Sequence, residues 1–182
     1  ALERTLSLRD GFTAWGDAAA KIDLQAPPSA VGRWQPFLNL GGYHVDLGSL
    51  TEARKALNTA LALGEEHGYA LFNMGLAAQH EKKHAEALGW FSRAQAKGFD
   101  MALLPAHQGE SLFALGQWAQ AYQSLSQGLA MPLTVQDQSK FRTSRAAPAL
   151  ALQPSAVPPE HLQALLQDSP NNAHFLQQLR FS

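Results

Sequence analysis

Apolar residues recur along the middle of the chain at the three-to-four-residue spacing of a helix, in short stripes separated by polar breaks. In one stretch Leu71, Met74 and Ala78 form a first stripe, and Ala87 and Phe91 begin a second one. This spacing places the apolar side chains on one face of a helix, and a break between two stripes indicates a turn. The pattern therefore predicts an all-α chain made of helical hairpins.

The hairpin pattern repeats with a constant period, and four columns of small or apolar residues keep that period. The columns are Gly41, Gly75 and Gly109; Ala53, Ala87 and Ala121; Leu57, Phe91 and Leu125; and Ala60, Ala94 and Gly128. Glycine and alanine at fixed positions indicate places where two helices cross closely, because a larger side chain would push the helices apart. Gly48 and Gly116 mark the break within two of the units, where a left-handed helix end favours glycine.

The period divides the chain into a central array and two flanks. We predict three units, at residues 34–67, 68–101 and 102–135. Since the open ends of a helical array must be capped, residues 1–33 are expected to supply a capping helix and the connector QAPPSAVG. Residues 136–182 are expected to supply a C-terminal capping helix, an irregular Ala/Pro-rich stretch, PALALQPSAVPP, and a degenerate further repeat.

The three units resemble the tetratricopeptide repeat (TPR) family, whose pattern places a Leu-Gly pair in the first helix and an alanine and an aromatic residue in the second. The unit that fits best carries Leu71, Met74-Gly75, Ala78, Ala87 and Phe91. The third unit departs from the pattern at Pro105 and Gln108. The resemblance implies an α-solenoid of helix-turn-helix repeats, stacked as a right-handed superhelix between capping helices, and a role in binding other proteins.

Charge and composition exclude several classes of partner. The chain has 14 Lys and Arg against 15 Asp and Glu, a net charge of -1, so it lacks the positive field that gathers nucleic acid. No apolar run is long enough to cross a bilayer, and we expect a soluble protein with no membrane insertion. The first residue is Ala, which indicates a processed or excised chain, so the compartment stays open between the cytoplasm and, if a leader has been removed, the periplasm.

The sequence His80-Glu81-Lys82-Lys83-His84 matches the H-E-x-x-H pattern of zinc hydrolases. A zinc site of that type needs both histidines one turn apart on a single unbroken helix. Here Lys82 aligns with Gly48 and Gly116, so the repeat predicts a turn within the motif. We therefore expect no metal site, no cofactor and no enzyme, and keep a zinc hydrolase at His80, Glu81 and His84 as a remote alternative.

The resemblance places the first helix of each unit on the concave face, the usual binding surface of such arrays. Asn39 and Asn73 fall one period apart on that face, and His107 continues the column with another side chain that can donate and accept. Amides can pair with the peptide groups of an extended ligand without reading its sequence. The neighbouring apolar candidates for pockets are Leu38, Tyr69, Phe72, Leu76 and Phe113.

The prediction from sequence is a protein–protein interaction module, a scaffold or adaptor that holds an extended, largely uncharged peptide segment of another protein in its concave groove. The alternative, from a different class, is a structural assembly component, either a homo-oligomer or part of a secretion or envelope complex.

Overall fold

The structure is a computed structural model that describes residues 2–24, 32–64, 67–99, 101 and 103–151. These residues form helices joined by turns, and contain no strand. The helices are α1 Leu2–Ala20, α2 Gln35–Asp46, α3 Leu50–Leu63, α4 Gly68–His80, α5 His84–Ala96, α6 Leu103–Ala114, α7 Trp118–Leu129 and α8 Val135–Ala151. Each predicted repeat unit therefore holds two helices, and the all-α helical-repeat fold predicted from sequence is confirmed.

The chain divides into two compact units, an N-terminal unit of Ala1–Phe99 and a C-terminal unit of Asp100–Ser182. In the N-terminal unit α2 pairs with α3 and α4 pairs with α5, while α4 also contacts both helices of the first pair. The α1 helix packs on α2, where Tyr43 lies against Gly11. The core that joins the two hairpins contains the buried residues Val45, Ala53, Leu57, Met74 and Ala77.

The glycine column lies where the two helices of each hairpin cross. A Cβ atom on Gly41 would stand 2.6 Å from Leu57 Cγ, and one on Gly75 would stand 2.5 Å from Phe91 Cδ1. In the C-terminal unit, a Cβ atom on Gly109 would stand 2.5 Å from Leu125 Cγ. Each of these distances is too short for two carbon atoms, so the close helix crossing requires glycine. The mechanical role predicted for this column is confirmed.

The turn inside each hairpin has the same backbone geometry. Gly48, Lys82 and Gly116 take φ values of 73°, 63° and 74°. In each turn the residue after this position donates its N–H to the carbonyl oxygen five residues earlier, at 2.9 Å, which satisfies a helix-end carbonyl. The turn predicted at Lys82 from the repeat phase is therefore confirmed.

The C-terminal unit consists of the hairpin of α6 and α7 with α8 packed on both helices. Its core contains Ala106, Leu125 and Phe141, all fully buried. The α8 helix begins after Thr134, whose Oγ1 accepts a hydrogen bond from the N–H of Asp137 at 3.1 Å and thereby caps the helix. A helix thus follows the third predicted unit and covers its hairpin.

The predicted end of this helix was wrong. The Ala/Pro-rich stretch was expected to be irregular from residue 148, but α8 runs through Pro148 to Ala151. The Pro148 ring is fully buried, so its packing offsets the backbone hydrogen bond that a proline removes. The rest of that stretch, the degenerate repeat predicted beyond it and most of the QAPPSAVG connector lie outside the described residues.

None of the helices within the described residues is both long enough and apolar enough to cross a membrane.

Candidate functional site

Asn39 and Asn73 lie on neighbouring helices of the N-terminal unit. The Asn73 Nδ2 atom would stand 3.4 Å from a Cβ atom on Gly42, so the Asn73 amide lies over the α2 helix. Asn39 is one turn before Gly42 on the same face of α2. Both side chains are half-buried, and neither has a side-chain hydrogen-bond partner among the residues that the structure describes. Two amides with unused donors and acceptors therefore share one face of this unit.

Gly42 opens the space between these amides. Its neighbour Gly41 is required by the crossing with Leu57, but a Cβ atom on Gly42 would meet only the Asn73 amide within 4 Å. A glycine inside a helix costs about 0.5–1 kcal/mol relative to alanine. Close helix packing therefore does not account for Gly42, and its lack of a side chain leaves room for a ligand to approach the α2 backbone.

An exposed aromatic ring borders the amide pair. Tyr69 lies one turn before Asn73 on α4, and 58% of it is exposed to solvent. The edge of its ring contacts Phe99, with 5.0 Å between ring centroids. The buried Phe99 ring packs against the Tyr69 ring, so Tyr69 presents its exposed side to solvent beside the amides.

Phe72 does not form part of this surface, although the sequence placed it there. Only 6% of Phe72 is exposed, and its ring stacks on Phe99 with centroids 4.7 Å apart. It also packs against Phe91, at 5.6 Å. Phe72 is a core residue, and Tyr69 is the ring of α4 that solvent reaches.

Leu38 and Leu76 are half-buried on α2 and α4 and pack against the core between the two hairpins. Leu76 lies three residues after Asn73 and on the same side of α4, whereas Leu38 directly precedes Asn39 on α2. Their main contacts are with the core, so they fix the two helices that hold the amides.

The two remaining candidates lie in the C-terminal unit. His107 Nδ1 is 3.0 Å from Glu110 Oε2, and the His107 ring contacts the Phe141 ring edge-on, with centroids 5.2 Å apart. Ser144 of α8 donates a hydrogen bond to Glu110 at 3.1 Å. His107 is therefore engaged by side chains of its own unit, whereas Phe113 keeps 37% of its surface exposed.

The charge of Glu110 is balanced inside this cluster. Burial by itself would raise the pKa of Glu110, but the hydrogen bond with His107 and the nearby charges of His107 and Lys140 outweigh it. The net effect holds the pKa of Glu110 below its ordinary value. The cluster thus links α6 to α8 through the contacts of Glu110 with Ser144 and Lys140.

The H-E-x-x-H motif is divided between two helices. His80 ends α4 and His84 begins α5, with the left-handed turn at Lys82 between them. Glu81 accepts hydrogen bonds from Arg54 Nε at 2.8 Å and Nη2 at 2.9 Å. In the described parts of the chain, no group of three or more His, Cys, Asp or Glu side chains could hold a metal ion.

Glu81 acts as an ion-pair partner. Hydrogen bonds, first from Arg54 and then from Lys83, lower the pKa of Glu81 to about 2. Arg54 Nη1 also lies 2.8 Å from Glu86. No local sequence pattern indicates this cluster, because Arg54 and Glu81 are 27 residues apart.

Comparisons with known proteins give a family and a fold. Residues 38–100 match the family model described as the tetratricopeptide repeat. The fold is similar to a chain in the crystal structure of the APC/C hetero-tetramer Cut9-Hcn1, with a TM-score of 0.62 and 24% identity over 81% of this chain. That match spans 29% of the Cut9-Hcn1 chain, so the present chain corresponds to less than a third of it.

The fold is also similar to YrrB, described as a TPR protein with an unusual peptide-binding site, with a TM-score of 0.66 and 14% identity. This similarity covers 99% of the present chain and 87% of YrrB. A search among curated protein sequences finds no match.

Proposed function

We propose that this chain, whose residues 38–100 match the tetratricopeptide repeat model, is a scaffold for protein–protein interaction, and that its N-terminal unit holds an extended, largely uncharged peptide segment of another protein. The peptide lies along the face formed by α2 and α4. Proteins with this fold generally act as interaction modules without catalysis, and the proposal assigns no reaction.

The observation that carries the proposal is the pair of amides at Asn39 and Asn73. Each amide supplies two donors and one acceptor, and an extended peptide presents N–H and C=O groups in alternation. Polar groups that are half-buried without a protein partner gain most from a ligand that satisfies them. The pair therefore favours a ligand bound through its main chain.

Gly42 and Tyr69 favour the same ligand. Without a Cβ atom, Gly42 lets the peptide main chain approach α2 closely, within reach of both amides. Tyr69 supplies a rigid apolar ring at one end of the face, where a ligand side chain can pack. Main-chain pairing then supplies affinity, and the ring supplies a preference for an apolar side chain.

The charge of the face supports an uncharged segment. The positions that border the amides are Gln35, Gly42, Tyr69 and Leu76, and none of them is Asp, Glu, His, Lys or Arg. A charged ligand side chain would find no counter-charge at these positions and would lose part of its hydration.

The test is selection from a peptide library with the wild-type chain and with the Asn39→Ala, Asn73→Ala double variant. We expect the wild type to enrich an uncharged consensus that the double variant does not enrich. Asn58→Ala is the matched control, because Asn58 is an exposed asparagine on α3 and should not change the selection. Circular dichroism must show that all three chains are folded.

Recovery of the same peptides by the wild type and the double variant would overturn the proposal. If no chain recovers a peptide and the mass of the protein rises with concentration, the alternative of a structural assembly component is favoured instead. The comparisons support either class, since one similar structure is a hetero-tetramer and the other has a peptide-binding site.

A further inference from the structure

A second surface of the N-terminal unit is a groove of about 260 Å³ between α2 and α3. The described residues that line it include Phe37, Leu40 and His44 from α2 and Glu52, Ala56 and Thr59 from α3. Phe37 and Leu40 are half-buried there, although they are large apolar side chains. Lys55 of α3 also lines the groove, which thus combines an apolar floor with the carboxylate of Glu52 and the ammonium group of Lys55.

The same surface occurs again one repeat further along the chain, on α4 and α5. The residues equivalent to Phe37, Leu40 and His44 are Leu71, Met74 and Ala78, all of them buried. In this copy α3 packs on α4, with Leu57 of α3 and Met74 of α4 in one core cluster. The structure therefore shows what occupies this surface when it is filled, namely one amphipathic helix.

The ion pair between α3 and α5 indicates which charge a helix packed on this surface carries. Glu86 is equivalent to Glu52, and it pairs with Arg54 of the packed helix at 2.8 Å. In the repeat that forms the groove, the position of the second carboxylate of that cluster, Glu81, is occupied by Leu47. One of the two acidic positions is thus retained, and it would pair with a basic side chain of an incoming helix.

We propose that the groove between α2 and α3 binds an amphipathic α-helix of a partner protein, apolar on one face and carrying an arginine or lysine opposite Glu52. The apolar face packs on Phe37, Leu40 and Ala56, as α3 packs on the equivalent positions. The proposal concerns a different surface from the amide face, so it is independent of the proposed peptide site.

The probe is a peptide of residues 49–63, the segment that fills the equivalent groove. Short isolated helices are marginal in water, so the peptide carries Asn58→Lys and Ala62→Glu joined as a lactam, at two positions that are exposed on α3. Fluorescence anisotropy measures its binding to the full chain. We expect saturable binding that Leu40→Glu in the chain abolishes.

A charge exchange tests the role of Glu52. Glu52→Arg in the chain should weaken binding about tenfold, because it places like charges opposite each other, and Arg54→Glu in the peptide should restore binding to that variant. Asp46→Arg is the control and should leave binding unchanged. Asp46 is exposed and lies two residues beyond His44, so it points away from the groove.

Absence of binding by the wild-type chain would overturn the proposal, as would binding that does not respond to Glu52→Arg. Self-association of the chain that Leu40→Glu abolishes would also overturn it, because a second copy would then be the occupant.

Discussion

Lys82 adopts the left-handed conformation that glycine adopts in the other hairpin turns of the repeats. Its φ of 63° is close to the values of 73° and 74° at Gly48 and Gly116. A side chain in this region is strained, at roughly 1–2 kcal/mol per residue. The repeat architecture imposes the turn here, and the local sequence tolerates it at a cost in stability.

We therefore expect Lys82→Gly to stabilise the chain by about 0.5–1 kcal/mol, since relief of strain exceeds the gain in unfolded-chain entropy. The free energy of unfolding in urea measures the effect. Lys97→Gly is the matched control, because Lys97 also ends a helix but has a φ of -90°. That control should lower stability, and equal effects of the two substitutions would contradict the explanation.

Gly75 and Gly89 offer a matched pair on the two helices of one hairpin. Gly75→Ala should destabilise by about 1–3 kcal/mol, because its Cβ atom would overlap the buried Phe91 ring. Gly89→Ala meets nothing within 4 Å and should stabilise by about 0.5–1 kcal/mol through helix propensity. Urea unfolding of both variants measures the difference, and a destabilising Gly89→Ala or a neutral Gly75→Ala would contradict it.

Between elements, Arg54 joins the α3 helix to the hairpin of α4 and α5. Its guanidinium contacts Glu81 at the end of α4 and Glu86 in the first turn of α5. Trp90 donates a hydrogen bond to Glu86 at 3.0 Å, and this bond is the largest cause that lowers the pKa of Glu86. The two repeats of this unit are therefore connected by charge as well as by their apolar core.

This connection predicts a pH dependence. The folded pKa of Glu81 is about 2, below its ordinary value of 4.5, so the ion pair stabilises the fold above about pH 4.5. That stability is lost as the pH falls towards 2. We expect Arg54→Gln to reduce the free energy of unfolding by about 1 kcal/mol at neutral pH, since water screens much of a pair near the surface.

The same substitution should flatten the loss of stability between about pH 4.5 and pH 2, which urea unfolding at stepped pH would measure. Lys55→Gln removes a positive charge from the same helix without touching the cluster, so it should retain the wild-type slope. An acid slope that is identical in Arg54→Gln and the wild type would show that the cluster does not contribute.

Across the whole molecule, the same repeat position holds different residues with different contacts in the two units. In the N-terminal unit the position holds Asn39 and Asn73, which are half-buried and belong to the proposed peptide site. In the C-terminal unit it holds His107 and, one period later, Phe141 of α8, whose rings contact each other. The C-terminal unit satisfies this position with its own side chains, so we assign peptide binding to the N-terminal unit alone.

Hydrogen–deuterium exchange with a selected peptide would test this assignment. When the peptide concentration is about 100 times its dissociation constant, and the peptide must dissociate before a helix can open, amide exchange in that helix slows by about 100-fold. We expect this protection in α2, Gln35–Asp46, and α4, Gly68–His80, and no change in α6, Leu103–Ala114. Protection of α6 would contradict the assignment.

Two exposed aromatic residues provide the matching variants. Tyr69→Ala should weaken binding of the selected peptide about tenfold, since it removes an aromatic anchor. Phe113→Ala should leave the affinity unchanged, because Phe113 lies in the C-terminal unit. Isothermal titration calorimetry would measure both affinities. A larger loss of affinity in Phe113→Ala would contradict the assignment and place the site in the C-terminal unit.

The spacing of residues along the chain was sufficient to predict the fold class and the packing and turns of the hairpins. A fixed period requires the same backbone in each unit, so Gly41, Gly75 and Gly109 could be assigned to close crossings and the turn at Lys82 could be located. These features depend on spacing along the chain, which a sequence displays directly. The same phase divided the H-E-x-x-H motif between two helices.

The exposure of each candidate side chain, in contrast, depends on tertiary contacts. Tyr69 and Phe72 are both aromatic and share α4, yet Phe99 and Phe91 bury one and leave the other exposed. His107 is engaged by Glu110 and by Phe141 from α8, which its repeat column does not show. Exposure depends on residues that are distant in the chain and meet only after folding, and a local pattern does not contain those contacts.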